Sequence, residues 1–101
     1  MKTIKFKNFY QSQGISEICK TDSKFIYLVL LKLADFVTND WGNVPEYCRL
    51  MNNRALITGR RIIGSYLIDN TKIWIIADSE NEEGIRKDIT VLLPEEYYEG
   101  Y

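Results

Sequence analysis

The sequence predicts an α+β fold in which two main helices pack on an antiparallel β-meander of three to four strands. Three observations predict it. A helical apolar period runs through Phe25–Val37. From Arg61 to Leu93 the period is two, and the runs are separated by the turn-forming Asp69-Asn70-Thr71 and by the polar stretch Glu80–Gly84. Helical patterns come first and strands second, which favours segregated layers over an alternating α/β arrangement. With 101 residues, 46% of them apolar, the chain is expected to form one core and a single domain over 1–101.

Each element follows from its own residues. Met1–Tyr10 alternates in part, with Ile4 and Phe6 against Lys5 and Lys7. It reads as a short edge strand whose lysines discourage further pairing. Gln11–Gly14 reads as a polar turn, and Ile15–Cys19 as at most one helical turn. Thr21-Asp22-Ser23 offers three side chains able to cap a helix over Lys24–Thr38. Its stripe of Phe25, Val29, Leu33, Phe36 and Val37 is extended by Ile26, Leu30 and Ala34. Leu28 and Leu31 border the polar side marked by Lys24, Lys32 and Asp35. A helix this apolar calls for cover on a second side, from the rest of the chain or from a partner subunit. Asn39–Asn43 is a turn. Pro45 suits the start of a second helix that ends at Gly59, although Asn52-Asn53 sits in its middle. Strands then follow at Arg61–Ile68, Lys72–Ala77 and Ile89–Leu93, the last closed by Pro94. Both faces of these strands are apolar, so both are expected to be at least partly covered.

Composition narrows the chemistry. Thirteen basic and 14 acidic residues give a net charge of -1, which argues against a globally basic nucleic-acid binder and against an acidic DNA mimic. The chain contains no histidine, so imidazole-dependent bases, nucleophile arrangements and zinc sites are excluded. Cys19 and Cys48 match no metal or redox spacing and read as buried thiols. The glycines lie too far apart for a phosphate-cradling loop. No cofactor or metal is expected. No apolar run is long enough to span a membrane, and none follows Met1-Lys2 as a signal peptide would require, so a cytoplasmic location is expected. Charge is unevenly placed. Residues 1–77 hold eleven basic and six acidic groups, a net of +5; residues 78–101 hold two and eight, a net of -6.

An ordered set of motifs spans Phe36–Tyr97, about three-fifths of the chain. It comprises Asn39-Asp40-Trp41-Gly42, Asn52 with Ala55-Leu56, Gly59–Tyr66, Lys72–Asp78 and Thr90–Tyr97. The set resembles a small uncharacterised family carried by bacteriophages and plasmids, whose members often read GDWG, N..AL..G.R, S.Y, WIIT and TT.LLPEEY. Members are often labelled plasmid-related protein or, by automatic transfer, type I restriction endonuclease subunit M. A methyltransferase is not expected here, because the Gly-rich turn of a cofactor-binding Rossmann domain is missing. This chain has Asp35-Phe36 where the family usually carries a histidine before GDWG, and Asp78–Lys87 where the family has a short Asp-Arg-Ser link. The shared residues read mostly as structural. Trp41 and Trp74 are apolar anchors, Asp40 pins a turn, Gly42 supplies a special backbone angle, and Arg60 or Arg61 pairs with Glu95 or Glu96.

The resemblance implies an accessory protein of a mobile element. Together with the small size, it leads to the expectation of a non-enzymatic protein in the host cytosol that binds and inhibits a host defence complex, a CRISPR effector or a restriction enzyme. The candidate partner-binding residues are Glu95, Glu96, Tyr97, Tyr98, Glu99 and Tyr101 in the acidic-aromatic tail, with Asp40 and Trp41 at the turn. Tyrosines anchor interfaces, and clustered carboxylates suit a basic nucleic-acid channel. The plainer reading of the tail is a strand end with Tyr97 packed and the rest frayed. Three alternatives stay open. Lys2, Lys5 and Lys7 interleave with Phe6, Phe9 and Tyr10, and with Arg60-Arg61 they suit nucleic acid. Asp40, Asp78 and the Glu80–Glu83 carboxylates allow acid–base or Mg²⁺ chemistry, though their spacing does not converge. The apolar helix with Leu28 and Leu31 suits a homodimer.

Overall fold

Strict side-chain alternation organises the second half of the chain. In a computed structural model that describes residues 2–99, β2 (Ile62–Ile68) and β3 (Thr71–Ala77) pair antiparallel across a tight turn. The left-handed residue of that turn is Asp69, at φ 53°, rather than the asparagine after it. β3 pairs antiparallel with β4 (Arg86–Leu92). The N-terminal strand β1 (Phe6–Gln11) joins β4 in parallel and gives the order β1-β4-β3-β2. The fold is α+β on a mostly antiparallel, four-stranded sheet, with β1 at an edge. β4 begins three residues before the expected Ile89, because β1 offers Arg86 and Asp88 partners in Phe6 and Asn8.

One face of the sheet carries Ile62, Tyr66, Ile73, Ile75, Ala77, Ile89 and Val91, all buried. α1 (Gln13–Thr21) and α2 (Phe25–Val37) contribute Ile15, Phe25, Val29 and Phe36 to the same core. Each such side chain contributes roughly 1.5–3 kcal/mol when withdrawn from water. α1 replaces the expected turn and single helical turn with nine residues. Ser12 is its N-cap and accepts the Ile15 N–H at 3.3 Å. At the start of α2, Asp22 is the one of the three candidate caps whose side chain accepts a backbone N–H, that of Lys24.

Within α2, Phe25, Val29 and Phe36 are buried, and Leu33, Val37, Ile26 and Leu28 pack against the core. Leu30 and Ala34, expected to extend the buried stripe, face outward, and Leu30 is 44% exposed. The reason is geometric: a single sheet face lies under α2, so the opposite side of the helix has nothing to pack on.

α3 (Glu46–Thr58) follows Pro45 and ends at Gly59, whose φ of 81° supplies the left-handed C-cap. It runs along the outer edge of β2. Asn52 and Asn53 do not break it, because both side chains are used. The Asn52 amide donates to the Ile63 carbonyl at 2.9 Å, and Asn53 Oδ1 accepts the Trp41 indole N–H at 2.9 Å. Next to them, Ser65 donates to the Trp41 carbonyl and accepts the Asn43 N–H, so residues 41–43 form a short bridge on β2. Together these contacts close one edge of the sheet.

The second sheet face is covered in part by α4 (Pro94–Tyr98), a short helix where a strand end was expected, and Leu67 and Lys72 on that face stay exposed. Its signature was present in the sequence: Pro94 at the first helical position, with Glu95 and Glu96 in the first turn. Both cysteines are free thiols, half-buried rather than fully buried. No helix among the described residues is long and apolar enough to cross a membrane.

Candidate functional site

The site is organised by α4 and by the strand residue beneath it. Glu96 fixes α4 in place. Its Oε1 accepts the Leu93 N–H at 2.8 Å and the Ser12 hydroxyl at 2.6 Å, and its Oε2 accepts the Gly14 N–H at 3.1 Å. One carboxylate thereby serves the N-termini of both α4 and α1, where helix dipoles favour negative charge. Burial pushes the Glu96 carboxyl up, but the three hydrogen bonds outweigh it and hold the group below its ordinary range.

With α4 anchored, Tyr97 and Tyr98 pack edge-on around Trp74 of β3. The ring centroids lie 5.4 Å apart for Trp74–Tyr97, 5.9 Å for Trp74–Tyr98 and 5.6 Å for Tyr97–Tyr98. Such edge-to-face geometry is favourable for aromatic quadrupoles. Arg61 completes the group. Its guanidinium carbon sits 5.7 Å from the Tyr97 ring centre, and Nη2 donates to the Tyr97 hydroxyl at 2.8 Å. The expected pairing of Arg60 or Arg61 with Glu95 or Glu96 does not form. Arg61 is held by Tyr97, and Glu96 is already engaged by α1.

The candidate partner-binding residues separate into two places. In the tail, Glu95, Tyr98 and Glu99 are exposed, and Tyr98 is 76% exposed despite its contact with Trp74. Glu96 and Tyr97 are half-buried in the contacts just described. Tyr101 lies outside the described residues. Asp40 and Trp41 sit at the β2 edge, where no hydrogen bond or ring contact joins them to α4. Trp41 is 3% exposed and packs edge-on against Phe36 with centroids 5.4 Å apart. Asp40 is exposed, and its Oδ1 accepts the Gly42 N–H at 3.0 Å, which pins the turn as expected. Its carbonyl accepts the Tyr66 hydroxyl at 2.6 Å. Burial first, then the charges of Asp40 and Asp35, raise the Tyr66 phenol far above its ordinary range.

A cleft of about 500 Å³ opens between the N-terminal half of α3, the β2–β3 face and α4. Trp74, Tyr97 and Tyr47 give it aromatic walls, and Arg61 and Lys72 line it with positive charge. A second hollow of about 540 Å³ adjoins it, shares Met51, Asn52 and Arg61 with it, and adds Arg54 and Arg60. No aspartate or glutamate lines either one. Sequence reasoning missed this site because Tyr47 and Met51 join it only through the placement of α3 beside β2. The alternation of Lys72 and Trp74 on one strand face was the available signal.

Compared with protein-family models, with curated proteins and with solved structures, the chain finds no match. The site therefore rests on its own geometry. That geometry brings together an aromatic cluster, exposed carboxylates on α4 and exposed cations lining the adjoining cleft. The four carboxylates Asp78, Glu80, Glu82 and Glu83 do not join it. Glu80 instead pairs with Lys2 at 2.5 Å and lies 3.8 Å from the guanidinium of Arg86. Among the described residues, no three acidic or thiol groups come together in a way that would hold a metal ion.

Proposed function

We propose that this protein is a non-enzymatic accessory protein of a mobile element, working in the host cytosol, that binds and inhibits a host defence nuclease. The observation that carries this reading is the presentation of Tyr98. A large aromatic side chain, 76% exposed, is held by two ring contacts at the end of a helix that Glu96 locks to α1. An exposed tyrosine on a rigid mount is the usual form of an interface anchor. Glu95 and Glu99 flank it, and their charge suits the basic channel in which a nuclease holds nucleic acid. The resemblance of residues 36–97 to phage and plasmid proteins supplies the setting.

The test is a plating assay. Hosts carrying a restriction system or a CRISPR effector are challenged with an unmodified or targeted phage, with and without expression of this chain. Relief of interference by about tenfold or more is expected, and the Tyr98→Ala and Glu95→Lys/Glu99→Lys variants are expected to lose it while remaining folded. Unchanged interference across both classes of defence system would refute the proposal.

A further inference from the structure

We propose that the cleft between α3, the β2–β3 face and α4 binds single-stranded nucleic acid, with a base against the aromatic wall at Trp74 and the backbone phosphates on Arg61 and Lys72. The inference goes beyond the nuclease-docking reading: it shares Trp74 and Tyr97, which hold Tyr98 there, but it rests on the cleft and its cations Arg61 and Lys72.

Charge complementarity identifies the occupant. The whole chain is slightly acidic, yet the two adjoining hollows collect Arg54, Arg60, Arg61 and Lys72 and no carboxylate. All four cations are exposed. Among the described residues the ion pairs are Lys2–Glu80, Arg49–Glu46 and Arg86–Glu80, so none of the four has an acidic partner. A cluster of unopposed cations attracts a polyanion, and the two hollows share Met51, Asn52 and Arg61, so the cations are distributed over adjoining hollows.

The aromatic wall narrows the class. Trp74 and Tyr97 are fixed by their mutual contact and by Arg61, so they present preformed surfaces beside the cations. Aromatic surfaces within a cationic groove form the stacking platform by which proteins take single strands without a strict sequence requirement. Asn43 also lines the cleft, and among the described residues its side-chain amide makes no hydrogen bond, so it can serve a base edge. A duplex keeps its bases stacked inside and cannot offer a face to Trp74. An acidic peptide would match the cations and leave the aromatic wall unused. The volume, about 500 Å³, suits a nucleotide-sized unit.

The structure also supplies the reporter. Trp41 is buried against Phe36, whereas Trp74 lines the cleft, so quenching of tryptophan emission by a cleft ligand reports on Trp74. The purified full chain is titrated at low salt with oligothymidylate and oligouridylate of about ten nucleotides. Parallel arms use a free nucleoside monophosphate, a duplex of equal length and polyglutamate. Single strands are expected to bind with micromolar affinity and quench the emission. The expected salt slope corresponds to about two or three phosphates, at about -0.7 per phosphate. Lys72→Glu and Arg61→Ala are expected to weaken binding about tenfold each, and Arg60→Ala to flatten the salt slope. Trp74→Phe, which keeps an aromatic wall, is expected to retain binding measured by anisotropy of a labelled strand and to lose the quenching.

Affinity for the free monophosphate equal to that for the strand would mean that one phosphate and one base suffice, and would overturn the single-strand proposal. Three further results would overturn it: no binding up to about 100 μM strand, polyglutamate or duplex bound as tightly as the single strand, or affinity unchanged in Lys72→Glu. Each readout uses purified protein and is independent of the plating assay.

Discussion

The side chain of Asn52 substitutes for a missing neighbour strand at Ile63. Its amide donates to the Ile63 carbonyl at 2.9 Å, and its Oδ1 faces the Ile63 N–H at 3.5 Å. A helix side chain thus closes a sheet edge. Asn52→Ala removes both contacts and leaves a half-buried backbone pair without partners. An unmade buried hydrogen bond costs about 1–3 kcal/mol, so a lowered urea midpoint with unchanged slope is the expected result. Because β2 then has an open edge, Asn52→Ala is also expected to associate at high concentration, visible by light scattering, more readily than the exposed control Arg54→Ala.

Arg86 is the most constrained charge in the molecule. It is 1% exposed, and its guanidinium donates to the carbonyls of Arg60 at 2.6 Å, Asp78 at 2.8 Å and Ala55 at 3.2 Å. Those three carbonyls belong to the loop before β2, the end of β3 and the last turn of α3. Desolvation lowers its pKa, and the nearby Glu80 charge opposes the shift. Arg86→Met keeps much of the volume but takes the side-chain donor from the Arg60 and Asp78 carbonyls, leaves the Ala55 carbonyl with the Gly59 N–H alone, and leaves Glu80 with Lys2 alone. A loss of about 3–5 kcal/mol is expected, large enough to lower the melting temperature by roughly 12 °C or more. Arg86→Lys restores the charge without the fork and is expected to recover less than half of that loss. Equal stability of the Met variant and the wild type would remove Arg86 from this role.

Much of the fold was legible because its punctuation is local. Gly59 reads as a helix stop and is one, and Asp40 pins its turn through the Gly42 N–H as its side chain suggested. The buried half of α2 followed from helical spacing. What sequence did not reveal depends on partners distant along the chain. Arg86–Asp88 become strand because β1 lies on one side of them and the Asp78–Glu80 segment on the other, and Gly14, in the first turn of α1, meets a carboxylate 82 residues away. Leu30 is apolar yet exposed because its burial would need a second layer that the described residues do not provide. The same limit applies to the cleft. Arg61 and Trp74 were noticed separately, but their meeting over Tyr97 is a property of the folded sheet.

Gly42 provides a test of the turn that the motif Asn39–Gly42 forms. Its φ is +74°, and an added Cβ would lie 2.1 Å from the Ser65 carbonyl oxygen. Gly59 has a similar φ of +81°, but there the nearest obstacle is the movable Glu80 carboxylate at 3.1 Å. Backbone strain is shared by the two positions; the collision is confined to Gly42. Gly59→Ala is therefore expected to cost about 1 kcal/mol and Gly42→Ala about 2 kcal/mol more. Thermal melts of the two variants decide the matter, and equal midpoints would contradict the assigned contact between residue 42 and β2.

Glu96 makes stability depend on pH in a defined window. Its carboxylate form accepts three hydrogen bonds in the folded chain, and its folded pKa lies below the value of about 4.3 in an unfolded chain. The unfolded state therefore takes up its proton first as acid is added. The stabilisation is complete above the unfolded pKa and is lost as pH falls through the folded one. Other carboxylates titrate in the same range, so the informative quantity is the stability difference between wild type and Glu96→Gln. At neutral pH the Gln variant is expected to be less stable, since its amide nitrogen cannot accept the Gly14 N–H and the charge at two helix N-termini is gone. Below about pH 4 the difference is expected to shrink, because protonation deprives the wild type of the same interactions. Urea midpoints measured from pH 7 down to pH 3 give the curve. A difference that stays constant over that range would mean that the link between α4 and α1 does not depend on the charge of Glu96.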